Sequence, residues 1–231
     1  MARKSGATSA LGDHGWLSFT PPRFRAQVLS RLRVHEYKKG AAVFHAGDPP
    51  GGLWAVLKGG VEIEWPPEET TPHLLYFGTP GLWFGEGPLI VGNARLVTVI
   101  ASRPSTLATL PLSACYAILE DDPSAWRWIA LMSLMTTELS LGFAADVLLR
   151  DPAKRTAAVL LRLAGVRNRV FAASKPAPIY LSQDKVGQLA NLSRNSVGPI
   201  LRRFVARGCI RIRYGAILIT NVRALSQTIA G

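Results

Sequence analysis

The sequence is poor in the residues that build covalent or metal-bound sites. Its 231 residues include only two cysteines, Cys115 and Cys209, which lie about a domain apart. A disulfide framework needs more cysteines, and zinc or iron–sulfur sites need clustered cysteine or histidine ligands, so we expect neither. The four histidines show no spacing typical of the metal site of a cupin-like enzyme or of an axial haem ligand. They are His14, His35, His45 and His73.

A secretion signal is also missing from the sequence. Arg3 and Lys4 near the start are not followed by an apolar run, so we expect a cytoplasmic protein. The run 125–149 is long enough to span a bilayer, but Glu138 lies near its centre, where a charge is costly. We therefore expect no membrane partner and interpret this run as a helix buried on two sides.

Acidic residues are scarce in the last third of the chain. Residues 1–150 hold 13 Lys/Arg and 13 Asp/Glu, whereas residues 151–231 hold 14 Lys/Arg and only Asp151 and Asp184 as acids. The whole net charge of +12 therefore belongs to the C-terminal part. A neutral region joined to a strongly basic one indicates a polyanionic partner for the second.

This basic region contains two short helical patterns separated by a break, within 181–204. Ser182 and Ser193 each precede a pattern and are suited to cap a helix, because a serine hydroxyl accepts an unpaired backbone N–H. The second helix is predicted to bury Val197, Ile200, Leu201 and Phe204 and to expose Arg194, Asn195, Arg202 and Arg203. Such a face suits the DNA major groove, although an ordinary helical hairpin with a solvated basic face has the same pattern.

The residues that follow favour the first interpretation. Two alternating runs, 210–214 and 216–220, flank Gly215 and are typical of a β-hairpin. Two helices, a tight turn and a hairpin together predict a winged helix-turn-helix.

The first half of the chain has a different pattern. A proline at the start of a predicted helix near 20–32 is followed by short apolar runs separated by glycines. The predicted strands are 43–45, 53–57, 61–65, 74–77, 96–101 and 106–110. Many short, evenly spaced strands predict a small barrel or roll.

A long helix is predicted to connect the two parts, from about Pro123 to Arg150. A 3-4-3-4 spacing on this helix is suited to a coiled-coil seam between two copies. The predicted seam residues are Ile129, Met132, Thr136, Leu139 and Phe143. Asp151-Pro152 then marks a hinge, where the aspartate is suited to cap the next helix.

This order of parts resembles the Crp/Fnr superfamily of bacterial transcription regulators. The resemblance is carried by Lys39-Gly40, Ala46 to Pro49, Lys58-Gly59, Phe84 to Glu86, and 181–203. It implies an α+β fold with a β-roll (jelly roll) of the cyclic-nucleotide-binding type at 17–122, a dimerisation helix at 123–150, and a winged helix-turn-helix DNA-binding domain at 151–231. It also implies a homodimer, a palindromic double-stranded DNA site and RNA polymerase as a partner.

The resemblance further implies a site for a small effector, which could be cAMP, another cyclic nucleotide or a different small molecule. Its candidate residues are Gly85, Glu86, Arg95, Leu96, Val97 and Ser140. Glu86 would bind a ribose hydroxyl, and Arg95 would pair with the phosphate through charge and two donors. Leu96 departs from the family pattern, because it stands where cyclic-nucleotide-binding members have a serine that donates to the phosphate.

For DNA, the resemblance places Arg194, Asn195 and Pro199 at the positions that read bases. Arg194 is suited to guanine and Asn195 to adenine, whereas Pro199 has no side-chain donor. Ser193, Ser196 and Arg202 are expected to hold phosphates.

Two alternatives remain open from the sequence. The β-roll could serve only as a dimerisation scaffold in an effector-independent regulator, or the roll could be a cupin-like enzyme, for which the histidine cluster is missing.

Overall fold

The computed structural model describes residues 10–13, 15–66, 73–168 and 175–230. They form two compact units, one up to Thr136 and one from Thr137 onward. The division falls inside the long helix instead of at the predicted hinge, Asp151.

The first unit is a roll of two antiparallel four-stranded sheets. The strands are β1 (Arg33–Tyr37), β2 (Ala42–Phe44), β3 (Leu53–Lys58), β4 (Val61–Trp65), β5 (His73–Gly78), β6 (Trp83–Phe84), β7 (Thr98–Ala101) and β8 (Ser105–Leu110). One sheet has the order β1-β8-β3-β6 and the other β2-β7-β4-β5. The roll predicted from the short glycine-punctuated runs is therefore confirmed.

Each face of the first sheet packs against a different apolar layer, because alternate side chains of a strand point to opposite faces. Ala55, Ala108 and Leu110 face a core shared with the helices α1 (Pro22–Ser30) and α3 (Leu112–Asp121). Val56 and Leu107 face the second sheet, across the interior of the roll. A shorter helix, α2 (Glu86–Val91), follows β6 directly.

The long helix α4 (Trp126–Val147) follows a short 3-10 turn, Pro123–Ala125. Of the described residues, this stretch alone is long and apolar enough to cross a membrane, by length and composition only. The predicted seam on α4 is wrong. Ile129 and Met132 are buried in the core of the first unit, and Phe143 is buried in the second, so these side chains already have partners within the chain.

The second unit contains the end of α4 and the helices α5 (Pro152–Leu163), α6 (Gln183–Leu189), α7 (Arg194–Ala206) and α8 (Val222–Ala230). Two strands, β9 (Ile210–Arg213) and β10 (Ala216–Ile219), form the predicted hairpin. Asp151 caps α5 as expected: its Oδ1 accepts the backbone N–H of Ala153 at 2.6 Å and of Lys154 at 3.2 Å.

The C-terminal helix α8 was not predicted. Leu225 on α8 is fully buried, and α8 packs against α5. The signal available in the sequence was Asn221, whose Oδ1 accepts the backbone N–H of Ala224 at 2.9 Å and so caps the helix.

Candidate effector pocket and nucleic-acid interface

Arg95 is buried inside the first unit, with only 5% of its surface exposed. Its backbone is held in place by the loop after β2, since Arg95 N donates to Asp48 O at 2.9 Å and Gly47 N donates to Arg95 O at 2.8 Å. The guanidinium donates to Gly52 O at 3.0 Å and to Gly85 O at 3.3 Å. It also lies 4.3 Å from the centre of the Phe44 ring.

Two glycines make room for this guanidinium. A Cβ at Gly51 would lie 2.4 Å from Nη2 of Arg95, and a Cβ at Gly85 would lie 2.7 Å from Nη1. Gly85 also has a φ of +97°, a conformation that other residues adopt only with strain. The guanidinium of Arg95 therefore lies directly against the backbone at Gly51 and Gly85.

Arg95 has no carboxylate partner among the described residues. The ion pairs in that part of the chain involve Arg23, Arg162 and Arg167. Burial lowers the pKa of Arg95, and the negative charges of Asp48 and Glu86 oppose this shift only partly. A buried cation is costly unless an anion pairs with it, so this arrangement can accept an anionic ligand.

The other predicted effector residues differ in their exposure and in the unit to which they belong. Glu86 is half-buried in the first turn of α2. Val97 packs against the apolar cluster inside the roll, whereas Leu96 is 60% exposed. Ser140 is exposed on α4 and belongs to the second unit.

In the second unit, α6 and α7 meet at a tight turn. Asn191 adopts a positive φ of 51°, and Leu192 N donates to Gly187 O at 2.8 Å. A Cβ at Gly187 would lie 3.0 Å from Leu192 O and 3.2 Å from a methyl carbon of Val197, so the two helices approach closely there. This geometry confirms the helix-turn-helix.

The exposed face of α7 carries the predicted DNA-contacting residues. Ser193 caps the helix, accepting Ser196 N at 3.3 Å, and the two hydroxyls lie 2.9 Å apart. Arg194, Asn195 and Arg202 are exposed, while the opposite side of the helix is buried through Val197, Leu201 and Phe204. Pro199 lies within the helix and is exposed.

The hairpin adds three exposed residues that the sequence reasoning did not assign to the interface. Arg211 and Arg213 alternate with buried or half-buried isoleucines on β9, and Tyr214 at the tip is fully exposed. The alternation Ile-Arg-Ile-Arg was the available signal, because period two places both arginines on one face of a strand.

A buried ion pair joins the end of α4 to α5. Nε of Arg162 lies 2.7 Å from Oδ2 of Asp146, and Nε of Arg167 lies 3.0 Å from its Oδ1. Asp146 is 1% exposed and Arg162 is 7% exposed. No group of three or more metal-ligating side chains occurs within the described ranges.

Two family models match the chain: a cyclic nucleotide-binding domain over residues 34–122 and a Crp-like helix-turn-helix domain over residues 154–228. A CRP-like cAMP-activated global transcriptional regulator of Mycobacterium tuberculosis is 24% identical over 216 residues, which are 89% of this chain and 92% of that protein.

Solved structures show the same fold. FixK2 from Bradyrhizobium japonicum superposes with a TM-score of 0.71 at 17% identity, covering 85% of this chain and 96% of that one. The c-di-GMP responsive global regulator CLP of Xanthomonas campestris gives 0.62 at 21% identity, covering 86% and 99%. The matched domains and relatives are those of transcription regulators and not of enzymes. The chain belongs to the Crp/Fnr family of DNA-binding transcription regulators.

Proposed function

We propose that this regulator is a cytoplasmic homodimer that binds a two-fold symmetric DNA site and is gated by a phosphate-bearing effector, with a cyclic nucleotide such as cAMP as the first candidate. The observation that carries the effector is the buried guanidinium of Arg95, which has no carboxylate partner among the described residues. RNA polymerase is the further partner that we expect of such a regulator.

The proposal for DNA recognition is supported by the exposed face of α7. Arg194 and Asn195 lie in its first turn, where a helix inserted into the major groove reaches base edges. Arg194 is suited to O6 and N7 of guanine, and Asn195 to N6 and N7 of adenine. Ser193, Ser196 and Arg202 flank them and are suited to phosphates, which fix register without reading sequence. Arg211 and Arg213 of the hairpin would add phosphate contacts.

The proposal of a homodimer is supported by an exposed stripe on α4. The stripe has the 4-3-4-3 spacing of a coiled-coil seam and consists of positions on the helix that are exposed among the described residues. Its residues are Ala130, Leu134, Thr137, Leu141 and Ala144. Leu134 is 60% exposed and Leu141 is 66% exposed, so a second copy of α4 would remove both from water. Two recognition helices are also what a symmetric site requires.

The effector is supported over the effector-independent alternative by the chemistry around Arg95. Two carbonyl groups and an aromatic face stabilise the guanidinium, but none of them neutralises its charge. A phosphate would do so and would gain two donors in return. The relative from Mycobacterium tuberculosis is cAMP-activated and the Xanthomonas protein is c-di-GMP responsive, and both of these nucleotides carry phosphate.

Selection of bound duplexes from random DNA, with and without cAMP, tests the gated DNA binding directly. We expect enrichment of a two-fold symmetric sequence that is stronger with the nucleotide. Equal enrichment in both samples would support the effector-independent regulator, and no enrichment would contradict sequence-specific binding.

Sedimentation of Leu141→Glu tests the homodimer. A carboxylate on the exposed stripe would face its copy and should yield monomers, since like charges at a buried seam repel. Leu75→Glu, at a 44% exposed position on β5, is the matched control and should leave the dimer intact. If both variants sediment as dimers, the seam does not lie on this face.

A further inference from the structure

The exposed side of α7 has a gap in its polar side chains. Gly198 and Pro199 lie three and four positions after Asn195, which places them one turn further along the same side of the helix. Gly198 has no side chain, and the ring of Pro199 offers no hydrogen-bond donor or acceptor. On this side, the second turn of α7 therefore has no side chain of its own that could bond to a base edge.

Two side chains from outside this turn occupy its surface. A Cβ placed on Gly198 would lie 3.9 Å from Oε1 of Gln183 and 3.6 Å from Nη1 of Arg202. Gly198 is buried, whereas Gln183 and Arg202 are exposed. A carboxamide from α6 and a guanidinium from the next turn of α7 therefore lie over the glycine and face solvent.

The position of Gln183 is fixed by the start of α6. Gln183 is the first residue of this helix, and the preceding Ser182 caps the helix by accepting Lys185 N at 3.2 Å. The carbonyl oxygen of Ser182 also accepts Val186 N at 3.1 Å. Since the close approach at Gly187 packs α6 against α7, the carboxamide of Gln183 is held beside the second turn of α7.

This carboxamide has both its donor and its acceptor available. Gln183 makes no side-chain hydrogen bond to any described residue, whereas Gln188, the other exposed glutamine of α6, donates Nε2 to Oδ2 of Asp184 at 3.2 Å. A donor and an acceptor side by side match N7 and N6 of adenine in the major groove. A phosphate needs donors only, and Arg202 supplies a charged donor at the same point. Adenine therefore uses the chemistry of Gln183 more completely than a phosphate does.

From this geometry we propose that Gln183 is a base-reading residue, which contacts an adenine in the major groove next to the bases read by Arg194 and Asn195. The inference rests on the proposed insertion of α7 into that groove and adds a specificity-determining residue from the preceding helix. Gln183 thereby supplies the contact for which Pro199 has no donor. Arg202, over the same glycine, is suited to the phosphate that borders this base.

Two substitutions of Gln183 test the contact in different ways. Gln183→Ala removes the carboxamide and should remove the preference for adenine at one position. Gln183→Glu replaces the donor and acceptor by a carboxylate, which accepts from N4 of cytosine, so the preferred base at this position should change from adenine to cytosine. Gln188→Ala is the matched control, because it removes an exposed glutamine from the same helix.

The measurement uses the full-length chain and the duplex that the wild type selects from random DNA, together with every single-base variant of that duplex. Gln183→Ala should lower the preference for adenine about tenfold at one position per half-site. This position should differ from those affected by Arg194→Ala and Asn195→Ala. Placing 7-deazaadenine there removes N7 and should weaken the wild type about fivefold, while the affinity of Gln183→Ala stays the same. Gln188→Ala should bind every duplex as the wild type does.

Three results for Gln183→Ala would overturn the inference. Unchanged base choice shows no contact, and an equal loss over all duplexes shows a contact to the DNA backbone. A change confined to the base pair that Asn195→Ala affects shows that Gln183 acts only through Asn195. Should Gln183→Ala not fold, Gln183→Glu decides, because an unchanged preference for adenine in that variant refutes the contact.

Failure of the proposed DNA recognition gives a different result. If Arg194→Ala and Asn195→Ala both leave base choice unchanged, α7 does not read bases, and the proposed recognition and this inference are both refuted. If these two variants change base choice and Gln183→Ala does not, the recognition by α7 stands and only the role of Gln183 is refuted.

Discussion

Each unit of this regulator buries an arginine, and the two arginines have opposite surroundings. In the second unit Arg162 pairs with Asp146 at 2.7 Å and lies 5.6 Å from the Phe143 ring. In the first unit Arg95 has an aromatic ring and two carbonyl groups but, among the described residues, no carboxylate within ion-pair distance. The two sites therefore differ in the counter-charge and not in the burial of the cation, and a buried cation without a counter-charge is the costly case.

Both buried arginines also lie beside a glycine. A Cβ at Gly142 would lie 2.0 Å from Nη1 of Arg162, as one at Gly51 would lie 2.4 Å from Nη2 of Arg95. In both units a glycine lets a guanidinium lie against backbone. Arg162 has a carboxylate partner, Asp146, whereas Arg95 has none among the described residues.

The largest expected loss of stability comes from removing the carboxylate of the buried ion pair between Asp146 and Arg162. Asp146→Ala leaves Arg162 buried without a counter-charge and should destabilise the second unit by about 3–5 kcal/mol. Urea unfolding followed by far-ultraviolet circular dichroism measures this loss. Tryptophan fluorescence reports on the first unit, because all six tryptophans precede residue 129.

Asp121→Ala is the matched control for that variant. Asp121 also pairs with an arginine, Arg23, at 3.5 Å, but the side chains are 55% and 79% exposed. An exposed pair is screened by water, so its loss should cost no more than about 1 kcal/mol. Equal losses for both variants would show that burial of Arg162 does not matter.

The second prediction tests whether Arg95, which has no carboxylate partner among the described residues, binds a phosphate. At a cAMP concentration of 100 times Kd, the wild type should gain about 2.7 kcal/mol of stability, and Arg95→Met should gain none. Without ligand, Arg95→Met should lose less stability than Asp146→Ala, because no charge is left unpaired. Tryptophan fluorescence during urea unfolding measures both quantities. A variant that is stabilised by cAMP as much as the wild type would refute the phosphate site.

The third prediction concerns two exposed arginines of α7, Arg194 and Arg202. Arg194→Ala should relax base choice at one position per half-site by about 1–3 kcal/mol, since a bidentate contact to guanine is lost. Arg202→Ala should weaken all duplexes similarly and lower the salt dependence of binding, because a phosphate contact is lost. Binding to single-base variants of the selected site at several salt concentrations separates the two. Identical profiles would contradict the division into base and phosphate contacts.

The smallest effect is expected at the hinge. Hydrogen bonds from the backbone of Lys154 and Ala153 lower the pKa of Asp151. A lowered pKa means that the carboxylate stabilises the fold above about pH 4 and that this contribution disappears as the pH falls through the pKa in the folded state. Asp151→Ala should cost about 1 kcal/mol at neutral pH and less in acid.

Asp151→Asn serves as the control for the hinge, because asparagine also caps a helix but does not titrate in this range. Its stability should stay near that of the wild type at neutral pH. A cost of Asp151→Ala that does not change between neutral and acid pH would contradict the role of the charge.

Local patterns in the sequence determined most elements of this fold. Ser182, Ser193 and Asp151 cap helices where the sequence predicts, because a cap depends on residues three or fewer positions away. The wing hairpin and most roll strands follow from period-two alternation and glycine turns. The charge partition and the exposed face of α7 could likewise be read directly from neighbouring residues.

What the tertiary structure decided is which partner each side chain has. The 3-4-3-4 spacing on α4 fits two faces, and only packing shows that Ile129 and Met132 belong to the monomer core while Leu134 and Leu141 remain exposed. The sequence also cannot show that Arg162 meets Asp146 whereas Arg95 meets only Gly52, Gly85 and Phe44. These contacts join residues 10 to 51 positions apart, and distances of that kind are set by how the elements pack and not by the local pattern.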